Sequence, residues 1–212
     1  MALKAIILDF DGVLVESNNI KHQAFAEIFK DFPDHFEEMM EFHANHNHLP
    51  RDEKFRYLYQ HFLRIKDCEP QVRDLVSRFQ KLTRSKIIEC PYVRGAMDFI
   101  RHYAKKKPLY IASATPLEEL TVIMKTRGLT KYFKDIFGAP MGKKEIFSRV
   151  LKAEHAHPDE VLFIGDSRED YQSAAEAGLC FVARISDGHF RDLAVAKFND
   201  MDACRAYIQL NF

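Results

Sequence analysis

The chain has 212 residues, enough for one medium domain or for a core domain with an insertion, and it can bury a substantial apolar core. Lysine plus arginine and aspartate plus glutamate balance at 31 each, so the charge gives no reason to expect nucleic acid or an anionic membrane as partner, and a small molecule is expected instead. The four cysteines contain no Cys-x-x-Cys pair and are too sparse for a secreted disulfide framework; without a secretory segment or a run of bilayer length, a cytoplasmic protein with reduced thiols is expected.

Residues 3–8 are an apolar run broken only by Lys4. The run is too short for a helix and meets a turn at Asp11-Gly12, so it reads as a buried strand. The character then changes. Residues 16–87 hold long helical patterns without strand runs, at 21–32, 35–45, 51–63 and 70–86, rich in Phe, His and charge. Phe25, Phe29, Phe55, Leu58 and Phe62 are expected to bury one another there at helical spacing. His43, His46 and His48 are spaced poorly for a metal and read as a surface or lid loop. Pro50 opens a helix on which Arg51 and Lys54 lie three apart on one face. That pair could contact a second anionic group on a substrate, but an ordinary solvated helix start is the favoured reading.

Residues 108–112 and 161–164 repeat the form of the first strand, ending at Ser113 and at Gly165-Asp166. Residues 132–137 read as a weak strand, 143–155 as a helix, 179–182 as a strand and 202–209 as a terminal helix. Strands alternating with helices imply parallel crossovers, and in such sheets ligands bind beyond the carboxyl ends of the strands. Asp9, Ser113 and Asp166 are expected along that edge. The expected architecture is α/β: a Rossmann-like parallel sheet flanked by helices, from residues 1–15 and 88–212, with an inserted all-α domain at 16–87.

Two carboxylates, Asp9 and Asp11, separated by one residue at a buried strand end, form a costly arrangement without a cation, although the dipeptide Asp-Gly alone means no more than a turn. The run Asp9-Phe10-Asp11-Gly12-Val13-Leu14-Val15-Glu16-Ser17 resembles the first motif of the haloacid dehalogenase superfamily, in its phosphatase branch. Ser113 in Ala112-Ser113-Ala114-Thr115 is similar to the second motif, Lys143 or Lys144 after Gly142 to the third, and Gly165-Asp166-Ser167-Arg168-Glu169-Asp170 to the fourth. Of the lysines Lys143 is favoured, because it has a turn residue before it and an acid two positions on. The resemblance implies a helical cap inserted after the first motif, a lid of the kind found in phosphoglycolate phosphatases and β-phosphoglucomutases. It also implies catalysis by Asp9, Asp11 and Lys143, phosphate binding by Ser113 and the Ala114 N–H, and a cofactor Mg²⁺.

The chemistry agrees with those residue types. A phosphate dianion repels an attacking carboxylate, so a site with an aspartate nucleophile must first neutralise charge. Asp9 and Asp166 offer hard oxygen ligands together with the Asp11 backbone carbonyl, and Mg²⁺ takes a few such ligands plus water and phosphate. Asp170, one helical turn after Asp166, would hold a metal-bound water or orient the lysine; otherwise it is an ordinary first-turn acid. An acid at position 11 favours phosphate esters, whose leaving alcohol needs a proton, over carbon–halogen bonds or phosphonates. The expected activity is therefore hydrolysis of a small phosphorylated metabolite through an aspartyl phosphate. A phosphomutase is the enzymatic rival, and a catalytically idle binding protein the third reading.

Overall fold

Three apolar runs become the middle of one sheet. The computed structural model describes residues 2–46, 49–185, 190 and 193–212. In it β1 (Ala5–Leu8), β2 (Leu109–Pro116), β3 (Asp135–Ala139), β4 (Val161–Gly165), β5 (Cys180–Arg184) and β6 (Ala196–Phe198) pair in parallel, in the order β3-β2-β1-β4-β5-β6. Every residue of β1 and of β4 is buried. A parallel strand covered on both faces has no wet side, so its sequence is a continuous apolar run rather than an alternating one.

On one face Ile7, Tyr110, Ala112 and Phe163 pack with Ile146, Phe147 and Val150 of α7 (Lys143–Ala153) and with Ala174 of α8 (Arg168–Ala177). At the far edge α9 (Met201–Asn211) lies against β5 and β6, and α5 (Ala96–Tyr103) against α9. Leu8 of β1 pairs with Ile111 on one side and Ile164 on the other. The strand order runs outward in both directions from the β1–β4 boundary, and that reversal opens a crevice at the carboxyl ends of the strands.

The chain divides into two compact units, Met1–Glu16 with Cys90–Phe212, and Ser17–Glu89. The second is helical: α1 (Asn18–Phe29), α2 (Phe36–Asn45), α3 (Arg51–Tyr57) and α4 (Glu69–Glu89). Its core gathers Phe25, Phe29, Met39, Phe55, Leu58, Leu75 and Phe79, each side chain contributing roughly 1.5–3 kcal/mol by leaving water. Among the described residues no helix is long and apolar enough to cross a membrane. All four cysteines are free thiols.

Several local expectations need correction. The helix expected over 51–63 stops at Tyr57 and continues as a wider π turn, Leu58–Phe62. The extra residue in that turn rotates Phe62 out of the stripe shared by Phe55 and Leu58, so it is only partly buried at the cluster's margin. His43 is not on a surface loop but buried in the last turn of α2; His46 stacks on Phe42, and His48 lies outside the described residues. The strand expected over 132–137 begins at Asp135, because Thr130–Tyr132 forms a 3₁₀ turn. The three-residue β6 is too short to leave a readable pattern.

Candidate active site

The end of β1 sets the site. The Asp9 N–H prolongs the ladder by donating to the Ile164 carbonyl at 2.9 Å, which holds Asp9 in line with the end of β4. The side chain is 7 % exposed. Its carboxyl is pushed up to about 6: burial raises it most, Lys143 pulls it down, and the Asp170 and Asp11 charges raise it. The chain then turns tightly. Gly12 takes a φ of +70°, which a side chain would oppose, and its N–H donates to the Val15 carbonyl at 2.9 Å. Asp11, at the start of this turn, is buried, and its Oδ2 accepts from the Thr115 hydroxyl at 2.9 Å.

Opposite Asp9 stands Lys143, the first residue of α7. Its Nζ donates to Asp9 Oδ2 at 2.6 Å and to Asp170 Oδ1, and sits 5.3 Å from the centre of the Phe163 ring. Burial works to lower the ammonium pKa, but Asp170 and Asp9 outweigh it and hold it above the ordinary lysine range. Lys143 is therefore a fixed cation. Lys144 instead points into solvent and pairs with Glu176. Beyond its last turn α7 is tied down where Glu154 accepts from the Tyr110 hydroxyl and from Lys134.

Asp170 is 1 % exposed. Its Oδ2 accepts from the N–H groups of Asp166 and Ser167 at 3.1 and 3.2 Å, and its own N–H donates to Ser167 Oγ, closing a capping box at the start of α8. A Cβ on Gly165 would stand 2.5 Å from the Asp170 Cβ, so only glycine at this strand end admits the carboxylate. Asp9, Asp166 and Asp170 bring one carboxylate oxygen each within 4.8 Å of one another. Three hard oxygen donors so close, two of them buried, suit a small divalent cation that completes its shell with water.

On the other side of Asp9, β2 continues past the crevice. Ser113 is buried, and its Oγ accepts from the Thr115 N–H at 3.1 Å; Ala114 is exposed and precedes α6 (Leu117–Thr126). Sequence reading overlooked Thr115. The signal was present, since residues two apart on an extended strand share a face, and Ser113 was already expected at the edge.

In the helical unit, Arg51 and Lys54 occupy the first turns of α3. The Arg51 guanidinium lies 4.9 Å from the centre of the Phe79 ring. The buried Lys54 Nζ lies 3.0 Å from His43 Nδ1 and 5.0 Å from the Phe25 ring. An ammonium has no lone pair, so His43 Nδ1 must accept and the ring is neutral. Burial, Lys54 and then His22 lower its pKa to about 3.

The family model described as haloacid dehalogenase-like hydrolase matches residues 6–184. The chain is 28% identical over 183 residues to a phosphorylated carbohydrates phosphatase of Thermotoga maritima, covering 84% of this chain and 82% of that one. Its fold is similar to that of YfnB of Bacillus subtilis bound to magnesium, with TM-score 0.71, 19% identity and full coverage of both chains (100% and 100%). It is similar also to a variant of CbbY from Rhodobacter sphaeroides in complex with xylulose-(1,5)bisphosphate, with TM-score 0.72, 17% identity and coverage of 93% and 94%.

Proposed function

The chain belongs to the haloacid dehalogenase-like hydrolases, and on that premise we propose that it is a Mg²⁺-dependent phosphatase of a small phosphorylated carbohydrate, with Asp9 as nucleophile. One observation carries this reading: a buried carboxylate at a strand end, 2.6 Å from a lysine ammonium, with two further carboxylates within reach of a shared cation. The substrate class is supported by the Thermotoga relative, a phosphatase of phosphorylated carbohydrates, and by the sugar bisphosphate held by the CbbY variant.

Asp9, Asp166 and the Asp11 backbone carbonyl would hold the cation, with Asp170 serving it through water or through Lys143. Bound there, Mg²⁺ supplies positive charge that lets a carboxylate approach a phosphate dianion. The Ser113 hydroxyl and the Ala114 N–H bind phosphate oxygens beside the start of α6. An Asp9 oxygen attacks phosphorus, the bond from phosphorus to the sugar oxygen breaks, and Asp11 gives that oxygen its proton. Water next attacks the aspartyl phosphate while Asp11, now a carboxylate, takes its proton; phosphate departs and Asp9 is regenerated. Lys143 keeps Asp9 ionised and faces the incoming charge.

The test is release of inorganic phosphate from p-nitrophenyl phosphate and from a panel of sugar phosphates, with and without Mg²⁺. Asp9→Asn is expected to abolish it. Full activity in that variant would remove the nucleophile assignment, and isomerisation of a sugar phosphate faster than its hydrolysis would make the protein a mutase.

A further inference from the structure

The turn that presents Asp11 has a support that lies on neither of its neighbouring strands. Arg184, the last residue of β5, is 6 % exposed and spends its guanidinium on three partners. Nη1 donates to the Gly12 carbonyl at 3.0 Å and to Glu16 Oε2 at 3.1 Å, Nη2 donates to Glu16 Oε1 at 2.6 Å, and Nε donates to the Asn199 carbonyl at 3.2 Å. A forked, two-bond pairing of this kind fixes direction as well as distance, which a lysine could not do. The opposite side of the same segment is tied by Glu16 N–H to the Pro91 carbonyl at 3.0 Å and by Val93 N–H to the Leu14 carbonyl at 3.0 Å.

The clamp grips the backbone one residue beyond Asp11. Inside the turn, Leu14 N–H returns to the Phe10 carbonyl at 2.9 Å and Gly12 N–H to Val15, so the segment moves as one body. The Asp11 side chain is held from the other direction by Thr115. An acid–base group must meet the reacting oxygen within hydrogen-bond reach, and a shift of the peptide beside it is transmitted directly to its carboxylate.

We propose that Arg184 is a positioning residue for Asp11: through Gly12 and Glu16 it holds the Asp11 turn at the height from which the carboxylate reaches the leaving oxygen and the attacking water. The inference rests on the reading of Asp11 as the proton donor and acceptor. It predicts a particular defect. With p-nitrophenyl phosphate the leaving group departs readily without a proton, so formation of the aspartyl phosphate is largely spared in Arg184→Lys and Arg184→Met, while its hydrolysis, which needs Asp11 as base, is slowed.

Stopped-flow measurement of nitrophenolate release under Mg²⁺ reads the two steps apart. The expected result for both variants is a burst approaching one nitrophenolate per enzyme and a steady-state rate lowered at least ~10-fold, a part of the roughly 10²–10⁴-fold that a placed acid–base group contributes. Glu16→Gln, which keeps one accepting oxygen for the guanidinium and removes the second together with the charge, is expected to show the same burst with a smaller loss of rate, because the Gly12 contact remains, and it carries the test with Arg184→Lys should Arg184→Met not fold. Burst amplitude and steady rate falling together would mean mere loss of folded protein and would overturn the inference, as would unchanged kinetics. An inactive wild type would instead remove the phosphatase reading on which it stands.

Discussion

Neighbouring lysines show how much one residue's direction matters. Lys143 and Lys144 open the same helix, and successive helical residues point about 100° apart, so only one can face the sheet. The sequence could only favour Lys143, from Gly142 before it and Glu145 two positions on, since the two lysines are adjacent at one helix start. The distances separate them: Lys143 meets Asp9 at 2.6 Å, and Lys144 pairs with Glu176 at the surface. Lys143→Met should lower the steady-state rate of phosphate release at least ~100-fold, the scale seen when an electrostatic donor at a reacting centre is removed. Lys144→Met should leave it within about 2-fold, because an exposed ion pair contributes little. Equal losses in the two variants would contradict the assignment.

At the scale of elements, the strands were legible and the helical unit less so. A strand buried on both faces writes itself as an apolar run ending at the polar residue of the sheet edge, which is how residues 3–8 and 161–164 disclosed β1 and β4. Helix packing depends on which turn each side chain faces, and the π turn after α3 changed that without any sign in the residue types. The pairing of α2 with α3 through His43 and Lys54 was equally hidden, because two basic side chains do not suggest each other as partners.

That pairing has a pH signature. Unfolded, His43 takes a proton near its ordinary 6.5; folded, it resists down to about 3. Between those values the unfolded chain binds more protons, so stability falls as the pH drops through the window, by up to about 1.4 kcal/mol per pH unit. Thermal unfolding followed by circular dichroism from pH 6.5 downward should show this slope, and His43→Gln should flatten it. An unchanged slope would mean that other groups set the acid response.

For the whole molecule a bound cation would join site to stability. Asp9, Asp166 and Asp170 converge only in the folded chain, so a divalent ion that binds there stabilises the native state alone. Mg²⁺ at a hundredfold excess over its dissociation constant should contribute about 2.7 kcal/mol, read as a rise in melting temperature. EDTA should abolish phosphate release, and Asp166→Asn should lose both the thermal rise and most of the activity. A thermal rise undiminished in Asp166→Asn would locate the cation elsewhere.

The chain by itself determined the class of sheet and the edge on which chemistry would sit. Both follow from local rules: two-sided burial demands continuous apolar strands, and the first polar residue after each apolar run falls towards the carboxyl end of the strand. Asp9, Ser113 and Asp166 could be found in that way. Only the tertiary structure decided their company. The contacts of Thr115 with Asp11, of Lys143 with Asp9 and of Arg184 with Gly12 join residues 104, 134 and 172 positions apart. No local pattern encodes such separations, because each is closed by the register of parallel strands and the seating of a helix, which exist once the whole sheet has formed.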